Sequence, residues 1–505
     1  MCDTLVTRLS GPAALSLQTE GPSTPAHSVA IIILDGSDRL SHQSLHQLVV
    51  SSLPRLARFR SRLVTKPLGI GHPVWAEIAD YDPSEHIHRA TAPAPGGRAE
   101  LARLVAELSS GHRECRERLW EAWTVDGLAD GRWALVVRMS PVLNDRFAGW
   151  GSVWPRLLSR GPHLGVVDDL PTEPSLGTAP SVGELVIDMV TEIVENQVTG
   201  AWLIAETVLG ALQTAHGRLL GADRRRSTPT SSQPTRPTPQ TAFNSPLTKR
   251  RAVAFTTLSL ADVRAVSKAF GGSDTNVMLA ACTLSLRAWL RRQDQLPADP
   301  LSMRIPFELP ARDPARVGRT LSVGRLRLPV HLDDPVQVLA ILHTATERLN
   351  TVRRGTDESS YSAVDFMAIT SLVPPNIARV AMQLYTRCGL RRLFEPTCHG
   401  SISYVVVGPT PAYCAGSRVA GVHALSPLAE SSGLNIAFTA RGDELDVSVY
   451  ACPDNVPAID DIATGIVDSI KVLLAAAQDS PRGQGRSVVT EMASHPANRS
   501  RGRTY

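Results

Sequence analysis

Histidine and cysteine are the side chains that most readily bind metals, exchange protons near neutral pH or attack electrophiles. The chain carries fourteen of the first and seven of the second. The cysteines (Cys2, Cys115, Cys282, Cys388, Cys398, Cys414 and Cys452) are odd in number and widely spread, with no CxxC. That pattern signals neither a disulfide framework nor a zinc ribbon. Cys398-His399, with Cys388 nearby, is the one cluster, and it lacks metal-ligand spacing. No GxGxxG or GxxxxGK[ST] phosphate loop occurs, and neither HExxH nor GxSxG is present. Any chemistry therefore depends on residues that the fold, not a local motif, brings together.

The elements that must do this are legible in outline. A chain of 505 residues, 43% hydrophobic and 20% charged, has the length and composition for sizeable cores. Fifty-two basic against forty-eight acidic residues leave +4, which is no footprint for nucleic acid. Strands are predicted at 28–35 and 133–140 with a helix at 99–109 between them, and helices follow at 182–195 and 201–220. In the second half, strands at 251–258, 301–307, 326–330, 401–407 and 434–439 are interspersed with helices at 277–291, 336–351, 376–393 and 458–477. Two α/β layers of about 200 residues each follow from that alternation. The Pro/Ser/Thr-rich stretch 222–248 sustains neither helix nor strand and reads as a linker. This divides the chain into 1–221, the linker 222–248, 249–479 and a polar, disordered tail at 480–505. The run Val29–Leu34 is too short to span a bilayer. With no signal peptide visible, a cytoplasmic protein, either free or peripheral to a membrane, is expected.

Several segments read together resemble the bacterial wax ester synthase/acyl-CoA:diacylglycerol acyltransferase family. They are LSGPAALSLQTEGPSTPAHSVAIIILDG near the start, HPVWAEIADYDPSEHIHRATAPAPGG, and LWEAWTVDGLADGRWALVVRMS. In the second half, GPTPAYCAGSRVAGVHALSPLAESSGLNIAF matches the family at Pro411, Tyr413, Gly416, Ser426, Pro427, Leu428, Gly433, Leu434 and Asn435. The resemblance covers about residues 8–475. It implies an α/β fold of two chloramphenicol-acetyltransferase-like domains, each a mixed sheet with flanking helices, and a tunnel at their interface. It also implies long-chain acyl-CoA as co-substrate with no further cofactor, and diacylglycerol or another lipid alcohol as acceptor.

That family carries HHxxxDG at the end of the strand represented here by 133–139, its second histidine being the general base. Here the place reads MSPVLND. Met139 and Ser140 stand for the two histidines, Asn144 for the aspartate and Asp145 for the glycine. A serine hydroxyl cannot act alone as a base at neutral pH, and loss of positioned base catalysis costs roughly 10²–10⁴-fold. The resemblance thus implies a weak acyltransferase at the position of Ser140, Met139, Asn144 and Asp145. The alternative is a non-catalytic acyl-CoA or lipid binder of the same fold, and acylation of a different alcohol or amine is a third option. His423, His86 and His88 are candidate stand-ins for the base, each weighed against a satisfied buried ring. The family's Asn-Asp pair reads Thr275-Asn276, where Ser273 or Asp274 can cap a helix. Arg379, Arg387, Arg391 and Arg392 lie in a basic amphipathic pattern suited to peripheral membrane or lipid-droplet contact, and Arg224-Arg225-Arg226 add basic charge at the linker.

Overall fold

The computed structural model describes residues 6–18, 20–21, 23–110, 118–144, 150–162, 175–195, 238–309, 320–354, 398–407 and 411–479. The predicted helices at 201–220 and 376–393, the linker up to 237, the 480–505 tail, Cys2, Cys115, Cys388 and Asp145 lie outside them. Elements of the first half are α1 (Gly11–Gln18), β1 (Ser28–Leu34), α2 (His42–Ser52), β2 (Ser61–Val64), β3 (Val74–Glu77), β4 (Ile87–Thr91), α3 (Arg98–Ser110), β5 (Trp120–Asp126), β6 (Trp133–Met139), α4 (Trp150–Leu157) and α5 (182–195). The second half supplies β7 (Ala252–Ser259), α6 (Leu260–Phe270), α7 (Asp274–Arg292), β8 (Leu301–Leu309), β9 (Thr320–Leu328), α8 (Pro335–Arg354), β10 (Gly400–Val406), β11 (Tyr413–Cys414), β12 (Ser417–Leu425), β13 (Leu434–Arg441), β14 (Glu444–Ala451) and α9 (Ile459–Asp479).

Two mixed six-stranded sheets result, in the orders β11-β12-β1-β6-β5-β4 and β7-β14-β13-β10-β8-β9. Their order departs from the chain's: β11 and β12 leave the second half and complete the first sheet. β12 pairs antiparallel with β1, Val29 opposite Leu425 and Ile31 opposite His423. β1 therefore has a strand on both edges. Its composition, SVAIIIL, suits a central strand covered on both faces, since β-branched residues pack well on a pleated surface. Position 222–248 separates the strands of the two sheets except for 413–425, which returns across that boundary.

The two halves also share a core. Val29 and Ile31 of β1, Leu101 and Val105 of α3 and Val136 of β6 pack with Phe255 of β7, Leu425 of β12 and Tyr450 of β14. Fully burying one such aliphatic side chain is worth about 1.5–3 kcal/mol, so this cluster alone resists separation of the halves. An ionic clip adds to it. The buried Asp446 carboxylate accepts from the Val422 amide at 2.8 Å and from Thr257 Oγ1 at 3.0 Å, and pairs with Arg441 at 3.3 Å. Arg441 in turn donates to the Val419 and Ala420 carbonyls of β12. Asp446→Ala would strand Arg441 and the Val422 amide. It is expected to lower the unfolding free energy by about 3–5 kcal/mol, and to speed amide exchange selectively over 417–425.

Helix α5 has an unusual orientation for a surface helix. Its Asp188 and Glu192 face inward, where Arg8, Lys66 and His72 meet them, while Val182, Val186, Ile187, Val190, Ile193 and Val194 face outward. The pattern over 182–195 predicts the helix but not that its charged face is the docked one. Burial would raise the Glu192 carboxyl, but hydrogen bonds from His72 and Lys66 overcome that and pull it down to about 2. A depressed carboxyl stabilises the fold above its unfolded value, near 4.3, and that stability is lost as pH falls toward 2. Acid titration between pH 5 and 2 should therefore weaken α5 docking by an amount on the order of 3 kcal/mol. Glu192→Gln should flatten the fall in melting temperature over that range while lowering stability at pH 7.

Candidate functional site

Along β6 the side chains alternate between two cores. Leu135, Val137 and Met139 face the core under α2 and α4, whereas Ala134 and Val136 face the core shared with the second half. Alternation puts Arg138 and Ser140 on the shared side. Met139 and Ser140, neighbours in sequence, thus point to opposite faces, and only Ser140 addresses the interface.

The strand stops at Ser140 because Pro141 opens a short 3₁₀ turn, Pro141–Asn144, and has no amide to continue the ladder. Ser140 is fully buried. Its amide donates to the Leu119 carbonyl at 2.7 Å, its carbonyl accepts from the Leu143 amide at 3.1 Å, and its Oγ faces the Val142 amide at 3.4 Å. The hydroxyl thus serves as a cap for the turn. Asn144 ends that turn.

Arg138 forms a buried ion pair with Glu121 of β5, lies 5.3 Å over the Trp123 ring, and donates to the Leu108 carbonyl at 2.9 Å. His88 of β4 reaches the same carboxylate, Nε2 to Oε1 at 3.2 Å. Burial would raise the Glu121 carboxyl, but the Arg138 guanidinium and then His88 hold it below its ordinary value. From across the interface comes Tyr450, beside Arg251 and Ser109 and in the field of Arg138, and Arg98 of α3 reaches back across it to the Phe255 carbonyl at 3.5 Å. Burial raises the Tyr450 phenol, keeping it neutral.

The other candidate histidines are occupied. His86 stacks on Trp120 with ring centres 4.8 Å apart and bonds its carbonyl at 3.0 Å. His423 packs against Phe255, its Nδ1 is 3.2 Å from Ser448 Oγ, and burial lowers its basicity to about 4. By register it is level with Val136, through Ile31. That is four residues short of Ser140, about 13 Å along the strand, and two strands away. His399 holds both ring nitrogens in the protein, Nδ1 accepting from the Ser302 amide at 3.0 Å and Nε2 bonding the Pro239 carbonyl at 2.8 Å. No group of three or more His, Cys, Asp or Glu side chains positioned to hold a metal ion occurs among the described residues.

Asn276, in the place of the family's aspartate, and the family-matched Asn435 both have structural partners. Asn276 is bound to the Ser273 cap and to His343 and Thr346 of α8. Asn435 accepts from the Ser426 amide at 2.9 Å and donates to Ser401 Oγ at 3.0 Å, which fixes the SPL segment against β10.

One residue near Ser140 has no role in the sequence reading. The β1–β6 ladder runs to Ser28 opposite Met139, so the next step sets His27 opposite Ser140. His27 is 5% exposed and, by alternation with Val29 and Ile31, faces the shared core. The only signal in the sequence is a polar residue at the foot of an apolar strand. Its partner, more than a hundred positions away, is invisible without the pairing. As a check on the surrounding frame, Arg138→Ala should cost about 3–5 kcal/mol in urea unfolding by leaving Glu121 buried and ionised. Replacing both by Met and Leu should cost less.

The chain matches the model of the wax ester synthase/diacylglycerol acyltransferase catalytic domain over residues 9–278 and that family's C-terminal domain over 318–473. A Mycobacterium tuberculosis protein named "putative diacyglycerol O-acyltransferase" is 30% identical over 487 residues, 93% of this chain and 96% of that one. Another of the same name is 28% identical over 490 residues, 94% and 92% of the two chains. Among solved structures, the wax ester synthase/diacylglycerol acyltransferase from Marinobacter aquaeolei VT8 superposes with a TM-score of 0.62 at 22% identity, covering 94% of this chain and all of that one. The first condensation domain of the calcium-dependent antibiotic synthetase, with a substrate analogue, gives 0.51 at 15%, covering 94% and 96%.

Proposed function

The chain belongs to the wax ester synthase/diacylglycerol acyltransferase family, and on that premise we propose that it transfers a long-chain acyl group from acyl-CoA to the free hydroxyl of diacylglycerol, forming triacylglycerol. The acceptor oxygen attacks the thioester carbonyl directly, and CoA leaves as the thiol. A thioester is already activated, so the reaction calls for no further cofactor. The acceptor is insoluble, so it is met at a lipid surface by peripheral contact. No described helix is long and apolar enough to cross a membrane.

The observation that carries this reading is the position of Ser140. The resemblance sets it at the family's base position, one residue past the end of β6, and the alternation of that strand turns it toward the core between the two halves. A second reading, a non-catalytic acyl-CoA or lipid binder, draws support from the same residues: Met139 is packed in the opposite core and the Ser140 hydroxyl caps a turn.

Radiolabelled acyl-CoA with diolein separates the two. The wild type is expected to form triacylglycerol more slowly than Met139→His/Ser140→His/Asn144→Asp/Asp145→Gly, by no more than the roughly 10²–10⁴-fold that base catalysis supplies. Acyl-CoA binding without transfer by either protein would favour the binder. A wild type matching that quadruple variant would mean that another group supplies the base.

A further inference from the structure

We propose that His27 is the general base of this acyltransferase, working from the strand beside the one on which the family carries it. This deepens the reading above, since it names the group that takes the proton in the same reaction. The first support is register. Directly opposed residues on antiparallel strands share a face, with Cβ atoms roughly 5 Å apart. Ser28 opposite Met139 is the last pair of the ladder, and its continuation by one residue sets His27 opposite Ser140, on the face of Val29 and Ile31.

Side-chain size is the second support. Serine is far smaller than histidine, so the residue opposite His27 asks for less room than a motif imidazole at 140 would.

The remaining groups on this face supply the third. Arg138, Arg98 and Arg251 carry guanidinium groups, which donate hydrogen bonds and accept none. Glu121 is held ionised by Arg138 and His88, and proton uptake there would break a buried ion pair. The Tyr450 phenol, raised by burial, stays neutral and has no free base to offer. His423 lies well away along the strand and its basicity is depressed. His27 is the buried imidazole that the pairing sets at Ser140, and imidazole is the side chain suited to exchanging a proton near neutral pH.

In the step, one His27 ring nitrogen takes the proton of the acceptor hydroxyl as its oxygen bonds to the thioester carbon. Collapse of the tetrahedral intermediate breaks the carbon–sulfur bond. The imidazolium returns its proton to the departing CoA thiolate, leaving ester, thiol and neutral imidazole.

The test measures transfer to diolein by His27→Asn, His27→Gln, Ser140→His and Ser140→His/His27→Asn, with circular dichroism and acyl-CoA binding recorded for each. His27→Asn and His27→Gln are expected to keep the fold and bind acyl-CoA while losing about 10²–10⁴-fold in turnover. Ser140→His/His27→Asn should recover most of it, which a merely structural role for His27 would not allow. Equal turnover by wild type and both His27 variants overturns the proposal and leaves the acyltransferase reading standing. So does a deficit that Ser140→His fails to relieve. Should the wild type be inert while Ser140→His is active, His27 is not a base. Absence of transfer from every protein overturns the acyltransferase reading and the proposal with it.

Discussion

The structure depends on the pairing of β1 with a strand on each edge. On one side, β6 leads into the segment that the resemblance aligns with the family's catalytic motif. On the other, β12 arrives from beyond position 411 and ties the second half to the first. Because side chains alternate with a period of two, this double pairing decides every facing around the interface. It puts Ser140 and His27 together on one side and sends Met139 to the other. A one-residue slip of β1 would reverse its buried set, and Val29 and Ile31 would leave the shared core. The Asp446–Arg441 clip guards that register from the far side by holding β12 at Val419, Ala420 and Val422.

Charge is used differently in the two places where it is buried. At α5, Lys66 and His72 hold Glu192, and the outcome is mechanical: a helix is docked with its aliphatic side exposed. Two residues before Ser140, Arg138 forms a buried pair with Glu121 that holds its own charges in place. Both pairs carry desolvation costs that their mutual attraction has to offset. Neither is a proton acceptor near neutral pH.

Local pattern revealed the strands at 28–34, 133–139 and 434–441 and the long helices α7, α8 and α9, because each signal is contained in its own residues. Strands β12 and β14 escaped it. Both are buried almost throughout, and their partners lie far away in sequence. The same limit governs the site. The missing histidines at 139 and 140 could be read from the resemblance, as could the place they left. His27 stands in the quoted N-terminal run, yet nothing near it points to Ser140; only the β1–β6 register does. Asn276 and Asn435, in contrast, were legible as family positions. Their hydrogen bonds to α8 and to the Ser426 loop give them structural work.

The central claim is that proton transfer moved from β6 to β1 without leaving the interface. The pH dependence of kcat/KM for transfer to diolein tests it most directly, compared between wild type, His27→Asn and Ser140→His/His27→Asn. The account predicts a single rising limb with increasing pH in the wild type, as the imidazole loses its proton. The limb should vanish in His27→Asn and return in the double variant. An unchanged limb in His27→Asn would contradict it, because the titrating base would then be another group.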